Sequence, residues 1–313
     1  MWVALGIAGV VYSSQQHIPS ATAYVALAAL LVEITLYLSP GFASVRAWFE
    51  ALPNDGSRAL LLWASAIPPF LIYTIGTGTC SWQRLAVLAA ISGVISLWYV
   101  TFPRTPAADV VLVAAVATVL LSDGFKKMFP VVVPKLRLEI LGQLMLTRTL
   151  VFAVLSIRKL QGVNFGFVPR RQDWRIGVVN FLIFAPIGFG LGFAMHYVQF
   201  RQGPYSWMTL PLALGTFVAM LLVLAVEEEF IARGMVQQAL TGWFRSPRVG
   251  LAVTSALFGL VHLPFRFFPN WKHVLLAAIL GYFCGRAYQQ SKSIRAGMVT
   301  HALAVTVWRI FLL

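Results

Sequence analysis

The stretch WMTLPLALGTFVAMLLVLAVEEEFIARG, Trp207 to Gly234, decides the fold. Its first twenty residues carry no charge and show no two-residue alternation, and then three carboxylates arrive together at Glu227, Glu228 and Glu229. An uncharged apolar run of about eighteen or more residues is long enough to cross a bilayer as a helix. A barrel strand would alternate lipid-facing and lumen-facing residues instead.

Windows of the same kind recur at about 21–38, 58–76, 84–102, 107–122, 140–157, 176–199, 207–231, 249–265, 273–290 and 294–312. Backbone groups in lipid must find partners within their own segment, so these windows predict an all-α, polytopic transmembrane helical bundle of about ten spans (nine to eleven). Composition agrees. The chain is 59% hydrophobic and 11% charged with a mean hydropathy of +0.80, against about 25% charged residues in ordinary soluble domains. That excludes a soluble enzyme. The first apolar stretch, Trp2 to Tyr12, is too short to span and lacks the basic start of a signal peptide, which predicts an interfacial helix or a truncated span.

The formal net charge is +14. The basic residues sit mostly between apolar runs, where they act as orientation signals and contacts to anionic lipid headgroups. No basic helix interleaved with stacking aromatics is present, so nucleic acid is not an expected partner; membrane lipids are. Arg158, Lys159, Arg170, Arg171 and Arg175, then Arg245 and Arg248, then Arg286, Lys292 and Arg295 mark alternate loops as cytoplasmic. The opposite ends hold fewer cations: Arg201, Arg266 with Lys272, and Arg309. Lys126, Lys127, Lys135 and Arg137 break the alternation upstream of residue 140. The expected location is the cell (plasma or inner) membrane, multi-pass, with the reactive residues nearer the cytoplasmic side. Cys80 and Cys284 stand far apart without CxxC spacing and predict neither a disulfide nor a metal site. No cofactor is expected.

The acidic run is costly for an inert span, since a charged residue at mid-membrane is charged about 2.5–3.5 kcal/mol on insertion scales. Helical geometry puts Glu229 and Arg233 on one face at i,i+4, where they neutralise each other, while Glu228 points elsewhere. The inert alternative is a solvated acidic helix end. Phe258 and His262 follow in the next apolar window, and His262 and Glu228 lie 17 residues either side of Arg245, inside a polar turn. An antiparallel hairpin there brings the two side chains to one depth. His301 stands about 10 residues beyond the Ser291–Ser293 turn, about 15 Å deep at 1.5 Å per residue. One carboxylate and two imidazoles in a partly dry cavity suit activation of water for hydrolysis. The same three groups match the ligand count of a catalytic zinc, but they come from separate helices without local spacing, so no metal is predicted.

These residues resemble the CPBP family of intramembrane glutamate proteases, which includes CAAX prenyl endopeptidases and bacteriocin-processing or self-immunity proteins. Its pattern is Glu-Glu-x-x-x-Arg, then Phe-x-x-x-His, then His-x-x-x-Asn or Asp. Glu228, Glu229 and Arg233 match the first, Phe258 and His262 the second, and His301 half of the third, where Val305 takes the polar position. The variant ending Trp308-Arg309 looks like the CAAX-protease-related subgroup associated with bacterial exosortase sorting systems.

The resemblance implies an intramembrane endopeptidase, a glutamic-type hydrolase. Its substrate would be a peptide or protein, lipidated or otherwise membrane-anchored. Glu228 would be the general base, His262 would position water, His301 would face the oxyanion, and Glu229 and Arg233 would hold the site. Arg309, on the His301 face at i+8, offers a substitute oxyanion donor. Glu227 has no role in the pattern. The alternative is a catalytically weak membrane scaffold or immunity-type protein that binds a peptide or partner in the same cavity. The protease-like domain is expected over 104–313 with its motif core at 207–306, after N-terminal helices over 1–103. Glu33 and Arg148 read as an interhelical or protonated acid and a snorkelling cation, and Gly188-Phe189-Gly190-Leu191-Gly192 as close helix packing.

Overall fold

Polar punctuation between apolar runs sets where each helix begins, and the computed structural model shows it for residues 2–122, 124–134, 136–203 and 205–312. Lys135 lies outside these described residues. Two compact units divide between Leu160 and Gln161, well beyond the 103/104 boundary expected from the sequence. Apolar helices look alike in sequence, and only packing partners reveal which unit each belongs to. The first unit contains α1 (Trp2–Gln15), α2 (Ser20–Leu38), α3 (Ala43–Glu50), α4 (Asp55–Ala64), α5 (Ile67–Gly76), α6 (Trp82–Thr101), α7 (Pro106–Leu121), α8 (Gly124–Met128) and α9 (Glu139–Phe152). Asp109 on α7 ties this unit together: it accepts from Tyr99 at 2.7 Å and pairs with Arg158 at 3.1 Å.

The second unit contains α10 (Arg171–Ala194), a long helical span from Thr209 to Phe244, α14 (Pro247–Leu260), α15 (Trp271–Ser291) and α16 (Ile294–Phe311). The long span comprises α11 (Thr209–Ala219), α12 (Ala225–Glu229) and α13 (Gln238–Phe244), joined by π-helical turns at Met220–Leu224 and Phe230–Gln237. Among the described residues, six helices are long and apolar enough to cross a membrane: Ser20–Gly41, Asp55–Gly76, Trp82–Thr101, Glu139–Ile157, Arg171–Ala194 and Thr209–Phe244. Pro106–Leu121 and Pro247–Leu260 are shorter apolar helices. The windows at 273–290 and 294–312 form α15 and α16, whose apolar runs are diluted by Lys272, His273 and Arg286, and by Arg295, His301 and Arg309. The chain is a polytopic helical membrane bundle.

Two tight turns stack the motif-bearing helices. Arg245 closes α13 in the left-handed region at φ 51°, and the Ser246 side chain then caps α14 by accepting from Val249 N. Lys292 at φ 56° and the Ser293 cap repeat the device between α15 and α16. A short side chain that accepts from the first exposed N–H groups lets a helix start immediately after its predecessor ends. The α14–α15 crossing is close because Gly259 has no side chain: a Cβ there would lie 2.5 Å from the Val274 carbonyl.

In the glycine run of α10, Gly192 meets a neighbouring helix, with its Cβ position 3.5 Å from Leu276 of α15 and 2.7 Å from Val198, while Gly190 faces open space and Gly188 abuts Phe184 of its own helix. Gly177 makes the closer approach, with its Cβ position 2.7 Å from the Ala296 carbonyl of α16. Short glycine spacing shows that a helix can pack closely, while the neighbour's position decides which glycine is used.

Arg148 does not snorkel. It is buried on α9, donating through Nε to Glu33 at 2.6 Å and through its terminal nitrogens to the Ser65 hydroxyl and carbonyl at 2.7 and 2.8 Å. Removing one member of a buried pair leaves an uncompensated charge, a loss of about 3–5 kcal/mol in soluble hosts. Glu33→Ala is therefore expected to lower the thermal unfolding midpoint in detergent sharply, with the Glu33→Ala/Arg148→Met pair recovering much of it. Equal midpoints for the single variant and the parent would refute this role.

Candidate active site

The acidic run divides into two environments within one helical turn. Glu229 is fully buried and both of its oxygens are engaged: Oε2 accepts from Arg233 Nε at 3.0 Å and Oε1 accepts from His301 Nδ1 at 3.0 Å. Arg233 is also fully buried, with its guanidinium 5.3 Å from the centre of the Phe258 ring. Glu228, one residue earlier and partly exposed, turns its carboxylate into a cavity. Its Oε2 is buried and has no hydrogen-bond partner. The π-helical turns flanking α12 widen the helix locally, a feature often found at functional sites.

His262 and His301 approach that oxygen from two other helices. Their Nε2 atoms lie 4.0 and 3.7 Å from Glu228 Oε2. These gaps are too long for direct hydrogen bonds and suit a bridging water. The far side of each ring is fixed. His262 Nδ1 donates to the Phe258 carbonyl at 2.7 Å, because a carbonyl only accepts, and His301 Nδ1 faces the Glu229 carboxylate. A neutral ring held this way presents its Nε2 lone pair to the cavity. Phe258 lies beneath both rings, 5.0 and 5.8 Å away centre to centre.

The cavity has a volume of about 420 Å³ and is walled mainly by apolar side chains. Glu228, His262 and His301 line one wall; Val305 and Arg309 also line it. The structure thus brings Glu228, Glu229, Arg233, Phe258, His262 and His301 together, while Arg309 lies further along α16. His273 was not anticipated. It lines the cavity, stacks on Phe265 at 4.2 Å between ring centres, and lies 3.2 Å from the Tyr197 hydroxyl. The only sequence signal for it was a histidine at the polar start of an otherwise apolar helix.

Cys284 also enters the cluster, contrary to its reading as a bystander. It is buried beside Glu229 and His301, and ligand atoms of the three lie within 4.8 Å of one another. These residues could hold a metal by separation alone. The hydrogen bonds from Arg233 and His301 already engage both Glu229 oxygens, with Cys284 filling the side of the trio, while both terminal nitrogens of Arg233 are buried without a hydrogen-bond partner.

Gly297 shows how tightly that network is held, since a Cβ at Gly297 would lie 2.6 Å from Glu229 Oε2. Gly297→Ala is expected to displace the carboxylate from Arg233 and His301 and to destabilise the protein by about 1–3 kcal/mol. Gly190→Ala, with nothing within 4 Å of the new atom, should leave the unfolding midpoint within a degree or two of the parent. Indistinguishable melting curves for the two variants would contradict this packing.

Residues 210–307 match the family described as Rce1-like, type II CAAX prenyl endopeptidase. No curated protein and no solved structure matches the chain. The matched segment begins on α11 and ends on α16, so it encloses all three motifs. The match covers residues 210–307 of the 313-residue chain and agrees with the family resemblance carried by Glu228, Glu229, Arg233, Phe258, His262 and His301.

Proposed function

We propose that the protein is an intramembrane endopeptidase of glutamic type that hydrolyses a peptide bond in a membrane-associated substrate. The observation that carries this reading is the unpartnered Oε2 of Glu228 facing two imidazole Nε2 atoms at 4.0 and 3.7 Å. Three hydrogen-bond acceptors converge there when both rings are neutral and the acid is ionised. A water has two protons to donate, so the trio binds a water best when one of the three also carries a proton. That combination is the inventory of general acid–base hydrolysis.

In the proposed step Glu228 removes a proton from water as the oxygen attacks the substrate carbonyl, with His262 orienting that water. His301 donates from Nε2 toward the developing oxyanion, and its imidazolium is stabilised by Glu229 behind it. Glu229 and Arg233 fix the ring without touching substrate. His301 lies seven residues from the start of α16 and ten from its end, so the proposed chemistry sits nearer the cytoplasmic end of that helix.

Val305 supports the second reading, a peptide-binding scaffold, because it places an apolar side chain on the cavity wall where the family pattern has an amide or acid. Cleavage of membrane-anchored fluorogenic peptides by purified protein in nanodiscs separates the two. General-base removal costs about 10²–10⁴-fold, so Glu228→Gln should lose at least a hundredfold in rate while retaining peptide binding. Cleavage by Glu228→Gln at the parental rate would eliminate the glutamic mechanism. Binding without cleavage in both proteins would favour the scaffold.

A further inference from the structure

Asn270, the residue before α15, is fully buried with its whole side-chain amide in use. Its Oδ1 accepts from the His273 backbone N–H at 3.1 Å, and its Nδ2 donates to the Phe265 carbonyl and to the Tyr197 hydroxyl, each at 2.9 Å. A backbone N–H only donates, so the amide cannot be turned the other way. Tyr197 therefore receives a proton from Asn270 and has its own to place. Among the described residues the other hydrogen-bond partner of that hydroxyl is His273 Nδ1, at 3.2 Å. A half-buried hydroxyl proton takes the acceptor within its reach, which makes Nδ1 the accepting nitrogen and leaves the neutral ring's proton on Nε2.

His262 has the opposite tautomer, since its Nδ1 donates to the Phe258 carbonyl. Two imidazoles with centres 5.6 Å apart thus offer the cavity opposite functions, an acceptor on His262 and a donor on His273. Among the described residues His273 Nε2 has no hydrogen-bond partner of its own. The ring lies nearly flat on Phe265, 20° between planes, and Trp308 stands almost perpendicular to it at 5.6 Å. Trp308 follows Val305 by three residues, about 4.5 Å of helical rise. His273 therefore faces the stretch of wall where α16 turns apolar after His301.

A developing oxyanion is held by fixed donors aimed at it before the reaction begins. The turn of α16 after His301 presents Val305, which has no proton to give. Arg309, a further turn on, is exposed, and with Arg201 and Arg266 it stands where the cavity reaches the surface. Resting on the peptidase reading, we propose that His273 is a further catalytic residue, whose Nε2–H donates to the oxyanion formed at the substrate carbonyl and fills the place left by Val305. As the water oxygen bonds to the carbonyl carbon, Glu228 receives the water proton and the carbonyl π pair moves onto oxygen. His273 keeps its own proton throughout and shares that oxygen with His301. Tyr197 and Asn270 are positioning residues, which set the ring's tautomer without touching substrate.

The first test is cleavage of membrane-anchored fluorogenic peptides in nanodiscs. His273→Phe keeps the stack on Phe265 and removes the donor, so kcat should fall about a hundredfold or more with KM within about threefold. His273→Gln, which restores an N–H, should recover about tenfold of that loss. Val305→Asn should raise kcat about tenfold in the His273→Phe background and change the parent by less than about threefold. A kcat for His273→Phe within about threefold of the parent overturns the proposal, as does an equal Val305→Asn gain in both backgrounds. So does a loss in Trp308→Phe that matches that of His273→Phe, since it hands the role to the indole N–H.

Two measurements do not depend on turnover. In protein carrying nitrogen-labelled histidine, magnetic resonance should report Nε2–H at His273 in the parent and a mixture of tautomers in Tyr197→Phe; Nδ1–H in the parent overturns the assignment. An apolar peptide whose central amide is replaced by a phosphinate, a mimic of the oxyanion, should bind His273→Phe about thirtyfold more weakly than the parent. The unmodified peptide should bind Glu228→Gln and Glu228→Gln/His273→Phe equally. Equal phosphinate binding by His273→Phe and the parent counts against the donor. Phosphinate discrimination without cleavage of any peptide by the parent would sink the peptidase reading alone and leave the His273 donor standing.

Discussion

A carboxylate kept ionised inside a lipid-embedded bundle needs opposite charge and hydrogen-bond donors within reach, because no water is there to supply them. Glu229 has both, from Arg233 one helical turn away and from His301 on the last helix. The rest of the site depends on this knot. It orients the His301 ring, fixes the register of α12 against α16, and leaves Glu228 as the acid whose Oε2 is not consumed by protein partners. The family pattern's paired glutamates thus divide their tasks by burial: one is a strut, and its neighbour is available to the cavity.

The helices carrying these groups are brought into place by economical means. Two left-handed residues, Arg245 and Lys292, end their helices, and serine caps start the next ones at once. Small residues then let the backbones close: Gly259 against α15, Gly177 against α16, and Gly297 against the Glu229 carboxylate itself. In a bilayer, where apolar surface gains little by leaving lipid for a neighbouring helix, such close approach and buried polar contacts carry the association. Arg148, Glu33 and Ser65 show the same economy in the first unit.

Much of this was legible in the linear chain. Uncharged runs marked the helices, and the spacing of Glu228, Arg245 and His262 announced a hairpin with two reactive groups at one level. Other features were hidden for identifiable reasons. His273 opens the apolar window at 273–290 beside Lys272, and Cys284 stands alone within that window, so both become visible only when α15 is packed beside the motif helices. The division at Leu160 and Gln161 was hidden because one apolar helix resembles another until its contacts are known. The choice of Gly177 over the more conspicuous run at Gly188 to Gly192 depended on the position of α16, which no local pattern encodes.

Order along the chain, hydropathy, two short motifs and half of a third were enough to point to a helical membrane protein of this protease-like kind, because each is set by contacts within a few residues or by the chain's affinity for lipid. The tertiary structure alone decided that Glu229 is sealed while Glu228 faces the cavity, that the two imidazoles present their Nε2 atoms to the same oxygen, and that the cavity extends toward Arg201, Arg266 and Arg309. Those outcomes depend on how distant helices cross and rotate, and a difference of one helical position, about 100°, exchanges an inward-facing side chain for an outward-facing one.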